Sequence, residues 1–323
     1  MTRHVLIVGA GAIGGVLCAY LESAGQPTSL LARGENARNV GRDGIRLTTP
    51  DGRALHVRPR VVTEATGLAP QDMVILATKS FSLPAAMAAA APAIGADTIV
   101  MPVVNGVPWW FGSASEPLRS VDPDGALAAA VPYERLVGAT IYAPTRRVSP
   151  SEWVHSGLSK LVIGAVAPAD STAHAQSLAE LFRGSTLAAI VAGDIHQAVW
   201  TKLMTNAPFN SLCALTGALQ SDVARDARLG PVARQIMHEI EALAIASGSS
   251  IEGGVDHYFQ IAHDKGMFKP STLQDMEAGR PIELAAIVDG PLELAERHGV
   301  PMPALRTVGA TLRLKAITGG LLP

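Results

Sequence analysis

Short apolar runs recur through the first third of the chain, and turns and helical patterns separate them. The first run covers residues 4–8, and an amphipathic stretch follows it to about Leu21. Further runs cover residues 28–32, 73–77 and 98–103. Uninterrupted apolar runs of this length are typical of buried parallel strands. Because they alternate with helical patterns, the sequence predicts an α/β fold with a doubly wound parallel sheet.

Shorter extended segments lie between and after these strands. Two of them, residues 45–49 and 54–57, flank Pro50-Asp51-Gly52 and predict a hairpin. Three later segments are expected to continue or finish the sheet, namely residues 137–142, 152–155 and 161–163. Between Pro108 and Pro132, two Trp, a Phe and several Gly, Pro and Asp predict a long surface loop or insertion.

The pattern becomes helical from about Asp194. Apolar residues then recur at helical spacing, as in Ile195, Val199 and Leu203. We therefore predict two domains, a Rossmann-type nucleotide-binding domain over residues 1–193 and an all-helical domain over residues 194–323. The apolar C-terminal helices leave open whether the chain forms a homodimer or buries these faces in its own core.

Composition narrows the classes of function. The formal net charge is −2, and the sequence has no long charged run. It therefore shows no basic stretch that would attract a nucleic acid or an anionic membrane. No apolar run is continuous enough to cross a bilayer, so we expect a cytoplasmic protein. The two cysteines, Cys18 and Cys213, are isolated, and the histidines show no metal-ligand spacing. We therefore predict no metal site.

A glycine-rich motif follows the first strand and opens the first helix. It reads Gly9-Ala10-Gly11-Ala12-Ile13-Gly14. In this pattern the first glycine permits the tight turn, the second lets a pyrophosphate approach the backbone, and the third allows close packing of helix on strand. The free N–H groups of the helix start then bind the phosphates. A merely structural glycine turn is the alternative.

The end of the second strand indicates which nucleotide is bound. NAD enzymes usually carry Asp or Glu there, but this strand ends in Arg33. A guanidinium favours a 2′-phosphate, so we predict NADPH as the cofactor. The alternative is a surface arginine, with Glu35 serving NAD. Lys79 and Asn105-Gly106 follow two further predicted strands, so they are expected at the sheet edge where ligands bind. The alternatives are that Lys79 is an ordinary loop lysine and that Asn105-Gly106 is an ordinary turn.

Two polar groups stand out in the C-terminal half. Lys202, Asn206 and Asn210 recur at every fourth position and share one helix face among apolar neighbours, which favours a site over a surface stripe. Further on, Ser271 and Glu283 belong to a polar stretch. By themselves they are interpreted as a helix cap and as a first-turn acid that complements a helix dipole.

Taken in order, these motifs resemble the ketopantoate reductase family over nearly the whole chain. The resemblance implies reduction of 2-dehydropantoate to pantoate by NADPH. By position it makes Lys202 the general acid and Glu283 its charge partner. It assigns Asn206 and Asn210 to substrate oxygens and Ser271 to the substrate carboxylate. It also places Arg33 at the 2′-phosphate, with Lys79 and Asn105 beside the cofactor.

Several positions depart from the family pattern. Val104, Ser82 and Phe268 stand where the family often has polar residues, and Trp109–Pro123 looks longer and more aromatic than usual. These changes concern the substrate more than the cofactor. A paralogous reductase of another 2-oxo acid or ketone is therefore one alternative, and a non-catalytic NADP(H)-binding redox sensor is another.

Overall fold

The computed structural model describes residues 3–113, 115–167 and 172–323. They form two compact units. The first comprises Met1–Val104 and Ala126–Ile195, and the second comprises Asn105–Gly125 and His196–Pro323. This division differs from the predicted ranges in two respects, since Asn105–Gly125 belongs to the helical unit and the boundary near residue 194 lies two residues later, after Ile195.

A five-stranded parallel sheet organises the first unit. Along the chain, this unit begins with the strands β1 (Val5–Val8), β2 (Thr28–Leu31), β3 (Ile45–Thr48), β4 (Ala54–Val57), β5 (Arg60–Val62), β6 (Met73–Leu76) and β7 (Ile99–Pro102). The sheet has the order β5-β2-β1-β6-β7, and every neighbouring pair is parallel. The predicted doubly wound fold is confirmed. Because the order reverses between β1 and β6, the carboxyl ends of these two strands flank the crevice where such sheets bind ligands.

Two smaller sheets complete the first unit. The remaining strands are β8 (Val137–Tyr142), β9 (Thr145–Ser149), β10 (Glu152–His155), β11 (Lys160–Ala165) and β12 (Ala188–Val191). One sheet has the order β4-β3-β10-β9 and the other β12-β11-β8. The predicted hairpin is confirmed as β3 and β4. The expectation that the later segments finish the large sheet is wrong, because β8 pairs with β11, and β10 pairs with β3 and β9. A single bridge between Val100 and Leu136 connects the sheet that contains β8 to the edge strand β7.

The helices of the first unit are α1 (Ala12–Ser23), α2 (Gly34–Asp43), α3 (Leu83–Ala90), α4 (Ala126–Ala130) and α5 (Thr172–Leu181). The apolar face of α1 lies in a core that also takes in the parallel strands and Trp153 of β10. Tyr20 fastens α1 to β10. Its hydroxyl lies 2.6 Å from Nδ1 of His155, and His155 Nε2 lies 2.8 Å from the carbonyl oxygen of Leu158. A carbonyl only accepts, so Nε2 carries the proton and Nδ1 accepts from the tyrosine.

The second unit is helical. Its helices are α6 (Ile195–Thr216), α7 (Gln220–Arg225), α8 (Leu229–Ala246), α9 (Gly254–His263), α10 (Ser271–Glu277), α11 (Gly290–His298) and α12 (Pro303–Thr318), with a π-helical turn at Ala285–Asp289. They enclose their own apolar core. Within the described ranges, no helix combines the length and apolar character that crossing a membrane requires.

The segment Asn105–Gly125 is anchored in this second core. Trp109 and Trp110 are 1% and 2% exposed, so the prediction of a long surface loop is wrong here. Glu293 holds the segment by accepting from the backbone N–H of Arg119 at 3.0 Å and of Ser120 at 2.8 Å. The two tryptophans, which the sequence pattern assigned to a surface loop, are therefore buried apolar side chains that help to hold the segment in place. Within this segment, Ala114 lies outside the described residues.

Candidate functional site

The glycine motif forms the loop that the sequence predicted. Gly9 has a φ of +105°, which favours glycine, and its N–H donates to the carbonyl of Leu31 at 2.9 Å. A methyl group on Gly14 would lie 1.8 Å from the carbonyl oxygen of Gly9. Gly9 therefore makes the turn and Gly14 allows α1 to pack on it, as expected for a dinucleotide-binding loop.

Gly11 has a different surrounding. A methyl group there would meet nothing within 4 Å, so the loop is open on that side. Gly11 is also the N-cap of α1, which has no side-chain cap and no acidic residue in its first turn. The first N–H groups of a helix lack intrahelical acceptors and attract anions. The open space and the uncapped N–H groups together fit the pyrophosphate of a dinucleotide.

We expect Gly11→Ala to weaken cofactor binding without destabilising the fold. The added methyl group clears the protein but occupies the space at the helix start, so the affinity for a dinucleotide should fall by about tenfold or more. Titration of the protein with NADPH and thermal unfolding measure the two effects. Gly41→Ala in α2 is the matched control, because its surroundings are equally open. If the Gly11→Ala variant binds the cofactor with unchanged affinity, the assignment of the pyrophosphate to this loop is wrong.

Trp153 supports the loop from the four-stranded sheet, and the sequence analysis missed it. The Trp153 ring packs directly against Gly15. A methyl group on Gly15 would lie only 2.4 Å from the nearest atom of that ring. Its indole N–H donates to the carbonyl of Gly11 at 3.1 Å. The extra glycine after the motif was the available signal, because a fourth glycine, directly after the third, predicts close packing at that point.

Two other predicted cofactor residues, Arg33 and Lys79, follow strands of the same unit, whereas Asn105 belongs to the second unit. Arg33 is exposed and is the N-cap of α2, and Glu35 lies in the first turn of that helix. Lys79 follows β6 and is partly buried. Thr78, beside it, has a buried hydroxyl oxygen without a hydrogen-bond partner among the described residues, and its methyl group lies against Gly9. This brings the end of β6 up to the glycine loop, as the reversed strand order requires.

Lys202 lies in the second unit, in the middle of α6. Its ammonium donates to Oδ1 of Asn105 at 2.8 Å. Desolvation by burial lowers the pKa of Lys202 to about 8, and the nearby carboxylate of Glu283 opposes this shift. The Glu283 side chain is itself 5% exposed. A lysine with a pKa close to neutral can give up its proton and regain it, as a general acid must.

A tight backbone arrangement brings Asn105 to this lysine. Gly106 has a φ of +82°, and a methyl group there would lie 2.3 Å from the carbonyl oxygen of Ala286. The next residue, Val107, donates its N–H to the same carbonyl at 2.8 Å. Ala286 belongs to the π-helical turn that follows Glu283. Such turns often occur at functional sites, and this one fixes the Asn105 loop and the Glu283 segment against each other.

Asn210 lies two turns along α6 from Lys202, with Asn206 between them. Asn210 is 4% exposed and, with Glu283 and Thr272, lines a small cavity of about 10 Å³. The predicted alternative for Ser271 is wrong, since the N-cap of α10 is Pro270, without a side-chain cap, and Ser271 is the first helical residue. The structure thus joins Lys202 to Asn105 by a hydrogen bond, places the Glu283 carboxylate near enough to raise the pKa of the lysine, and lines one cavity with Asn210 and Glu283.

Within the described part of the chain, no three His, Cys, Asp or Glu side chains are grouped as metal ligands would be. The groups collected in the second unit are one ammonium, one carboxylate and several amides and hydroxyls. This set can bind an oxygenated anion and deliver a proton.

Comparison with known proteins covers nearly the whole chain. The family model described as Ketopantoate reductase PanE/ApbA matches residues 5–168, and the model of the C-terminal part of that family matches residues 194–316. The 2-dehydropantoate 2-reductase of Mesorhizobium japonicum is 34% identical over an alignment of 323 positions that covers 98% of each chain.

Solved structures agree with this. A protein from Ralstonia solanacearum, provisionally named a ketopantoate reductase, superposes with a TM-score of 0.92 at 34% identity, over 99% of this chain and 100% of its own. The 2-dehydropantoate 2-reductase of Geobacter metallireducens gives a TM-score of 0.86 at 28% identity, over 97% and 99%. Both matches include the two units, so the similarity extends to the residues that carry Lys202 and Glu283.

Proposed function

The chain belongs to the ketopantoate reductase family of oxidoreductases, and from this premise we propose that it reduces the ketone of 2-dehydropantoate to the hydroxyl of pantoate with NADPH. The observation that carries the proposal is the partly buried ammonium of Lys202, with its pKa lowered to about 8. The coarser function, reduction of a 2-oxo acid, follows from the relatives.

Bound NADPH supplies the hydride for this reaction. As the ketone is reduced, negative charge develops on its oxygen, and the Lys202 ammonium stabilises this charge and then transfers its proton to the oxygen. Asn105 holds the ammonium by accepting a hydrogen bond from it at 2.8 Å. The carboxylate of Glu283 favours the protonated form of the lysine, so that the acid is charged before the reaction begins.

Substrate binding is assigned to the polar residues along α6 and at the start of α10. Asn206 and Asn210 continue the face of α6 that carries Lys202 and offer amide groups to the substrate oxygens. Asn210 makes no side-chain hydrogen bond to another described residue, which suits a group that waits for a ligand. Ser271 offers its hydroxyl to the substrate carboxylate. Each of these assignments comes from the family resemblance together with the position of the residue.

The choice of NADPH depends on Arg33. Its guanidinium is exposed at the end of β2 and has no acidic partner among the described residues, so it remains available to a 2′-phosphate. Lys79, at the end of β6, is proposed as a second cation beside the cofactor. The carboxylate of Glu35 lies in the first turn of α2, where it complements the helix dipole.

We expect Arg33→Ala to weaken NADPH binding by about tenfold or more and to leave NADH binding nearly unchanged, because only NADPH loses a charge-assisted contact. The Michaelis constants for the two cofactors measure this. Arg38→Ala is the matched control, since it removes another exposed arginine from the same helix. Equal losses for both cofactors would contradict the assignment of Arg33 to the 2′-phosphate.

The pH dependence of the reduction should report Lys202. Its protonated form is the active one, so kcat/KM should be level below pH 8 and fall as the pH rises through about 8. Glu283→Gln removes the charge that raises this pKa, and the fall should therefore move to lower pH. Glu277→Gln, at an exposed ion pair with Lys269, is the control and should leave the profile unchanged. A Glu283→Gln profile that moves to higher pH would contradict this electrostatic account.

The substrate is tested with a panel of 2-oxo acids, by following the absorbance of NADPH. Turnover confined to 2-dehydropantoate supports the proposal. Turnover of another 2-oxo acid supports the second candidate, a paralogous reductase, which is favoured by the apolar residues Val104 and Phe268 and by the buried Trp109 and Trp110. Tight binding of NADPH without turnover of any member would favour a redox sensor. A homodimer stays a prediction, for which light scattering is the measurement.

A further inference from the structure

Arg147 of β9 makes a set of contacts that the proposed reaction does not use. Its Nη1 donates to Oδ1 of Asn36 at 2.6 Å, and its Nε donates to the carbonyl of Ser149 at 3.1 Å. It also donates to the carbonyl of Pro150. Its guanidinium carbon lies 5.0 Å from the ring centre of Trp153, over the ring. Four partners hold this side chain in one position, which is more than a solvated surface arginine needs.

The contact with Asn36 fixes the orientation of that amide. A guanidinium only donates, so the oxygen of the Asn36 side chain must face Arg147. The amino group of the amide is then turned away from Arg147. It donates to no other described residue. Asn36 therefore presents two N–H donors, and no acceptor, on the side away from the arginine.

These donors lie at the start of α2. Arg33 is the N-cap of this helix and Asn36 its third residue, so both belong to the first turn after β2. In a sheet of this order, the end of the second strand meets the ribose that carries the 2′-substituent. A 2′-hydroxyl is best held by an acceptor such as a carboxylate, whereas a phosphate needs donors. The pinned amide supplies donors only.

We propose that Asn36, oriented by Arg147, is a second ligand of the cofactor's 2′-phosphate beside Arg33. The inference rests on the proposed use of NADPH and adds a specificity residue and its positioning partner. Asn36 touches the phosphate through its amino group. Arg147 acts through Asn36 and makes no contact with the cofactor. The β9–β10 hairpin thereby supports both ends of the nucleotide site, because Trp153 holds the glycine loop and Arg147 holds Asn36.

Binding of two simple nucleotides to the full-length protein tests this without relying on turnover. Adenosine 2′,5′-bisphosphate carries the 2′-phosphate, and adenosine 5′-monophosphate lacks it. By calorimetry, Asn36→Asp should weaken the bisphosphate by about tenfold or more, because a donor is replaced by a negative charge. The monophosphate should bind within about twofold of its normal affinity, since it offers nothing to Asn36. Asn36→Ala should give a smaller loss of the same selectivity.

Two further variants separate the role of each residue. Asn39→Asp makes the same change one turn further along α2, and it should cost the bisphosphate much less. Arg147→Met should weaken the bisphosphate selectively, because the amide is no longer held in one orientation. Adding Arg147→Met to Asn36→Ala should cause little further loss, since Arg147 is proposed to act through that amide.

Three results would overturn the proposal. If Asn36→Ala binds the bisphosphate normally while the wild type still prefers it, NADPH use stands and only Asn36 is excluded. If Asn36→Ala weakens both nucleotides equally, Asn36 has a structural role alone. If the wild type shows no preference for the bisphosphate, the proposed cofactor itself fails and this inference fails with it.

Discussion

Replacing Lys202 with alanine should lower kcat by about 10²–10⁴-fold and leave the affinity for NADPH nearly unchanged. The variant loses the proton donor and the charge that stabilises the developing oxyanion. NADPH should still bind, because the glycine loop and Arg33 belong to the first compact unit, whereas Lys202 belongs to the second. Stopped-flow turnover and a separate NADPH titration distinguish these effects.

Controls for this variant are available in the chain. Lys269→Ala removes a lysine from an exposed ion pair and should change neither quantity. Lys202→Arg keeps a positive charge but holds its proton too firmly to donate it, so turnover should stay low. Thermal unfolding checks the fold, since the buried carboxylate of Glu283 loses its partner in Lys202→Ala. Near-normal turnover in a folded Lys202→Ala protein would exclude the lysine from the mechanism.

Replacing Gly106 with alanine should reduce turnover by about 10²-fold, because small displacements of a catalytic group are costly. The new methyl group would lie 2.3 Å from the carbonyl oxygen and 2.4 Å from the carbonyl carbon of Ala286, both of them backbone atoms. The loop must therefore shift, and Asn105 beside it then releases the ammonium of Lys202. Steady-state kinetics of the purified variant measure the loss.

Gly52→Ala separates this effect from ordinary backbone strain. Gly52 also has a φ of +82°, but a methyl group there would meet nothing within 4 Å. Both variants carry the cost of a left-handed alanine, about 1–2 kcal/mol, and only Gly106→Ala has the clash. If the two variants lose stability and turnover to the same extent, the close approach to Ala286 has no part in holding Asn105.

The parts of the fold that depend on local patterns could be predicted from the sequence. The apolar runs located β1, β2, β6 and β7 to within a residue or two, and Pro50-Asp51-Gly52 located the β3–β4 hairpin. The glycine motif has its expected conformation because its spacing encodes a steric requirement within one turn. The spacing of Lys202, Asn206 and Asn210 placed them correctly on one continuous helix, α6.

Contacts between distant residues could not be predicted in this way. Trp153 and Gly11 are 142 positions apart, and Arg147 and Asn36 are 111 apart. No periodicity connects such pairs. Trp109 and Trp110 were misplaced for a related reason, since aromatic residues among Gly and Pro resemble a loop unless the core that receives them is known. Asn105 reaches Lys202 only because its segment belongs to the helical unit.

The support that β9 and β10 give to the nucleotide site has a consequence for dissecting this protein. A fragment that ends at Val104 would contain the glycine motif, Arg33 and all five parallel strands. It would lack the indole that braces Gly11 and the guanidinium that aligns Asn36, as well as the histidine that accepts from Tyr20. A fragment cut at the end of the parallel sheet would therefore lack three hydrogen bonds that support the glycine loop, α1 and the start of α2 in the whole chain. During synthesis, the contacts of Trp153 with Gly11 and of Arg147 with Asn36 can form only after the β9–β10 hairpin has been made.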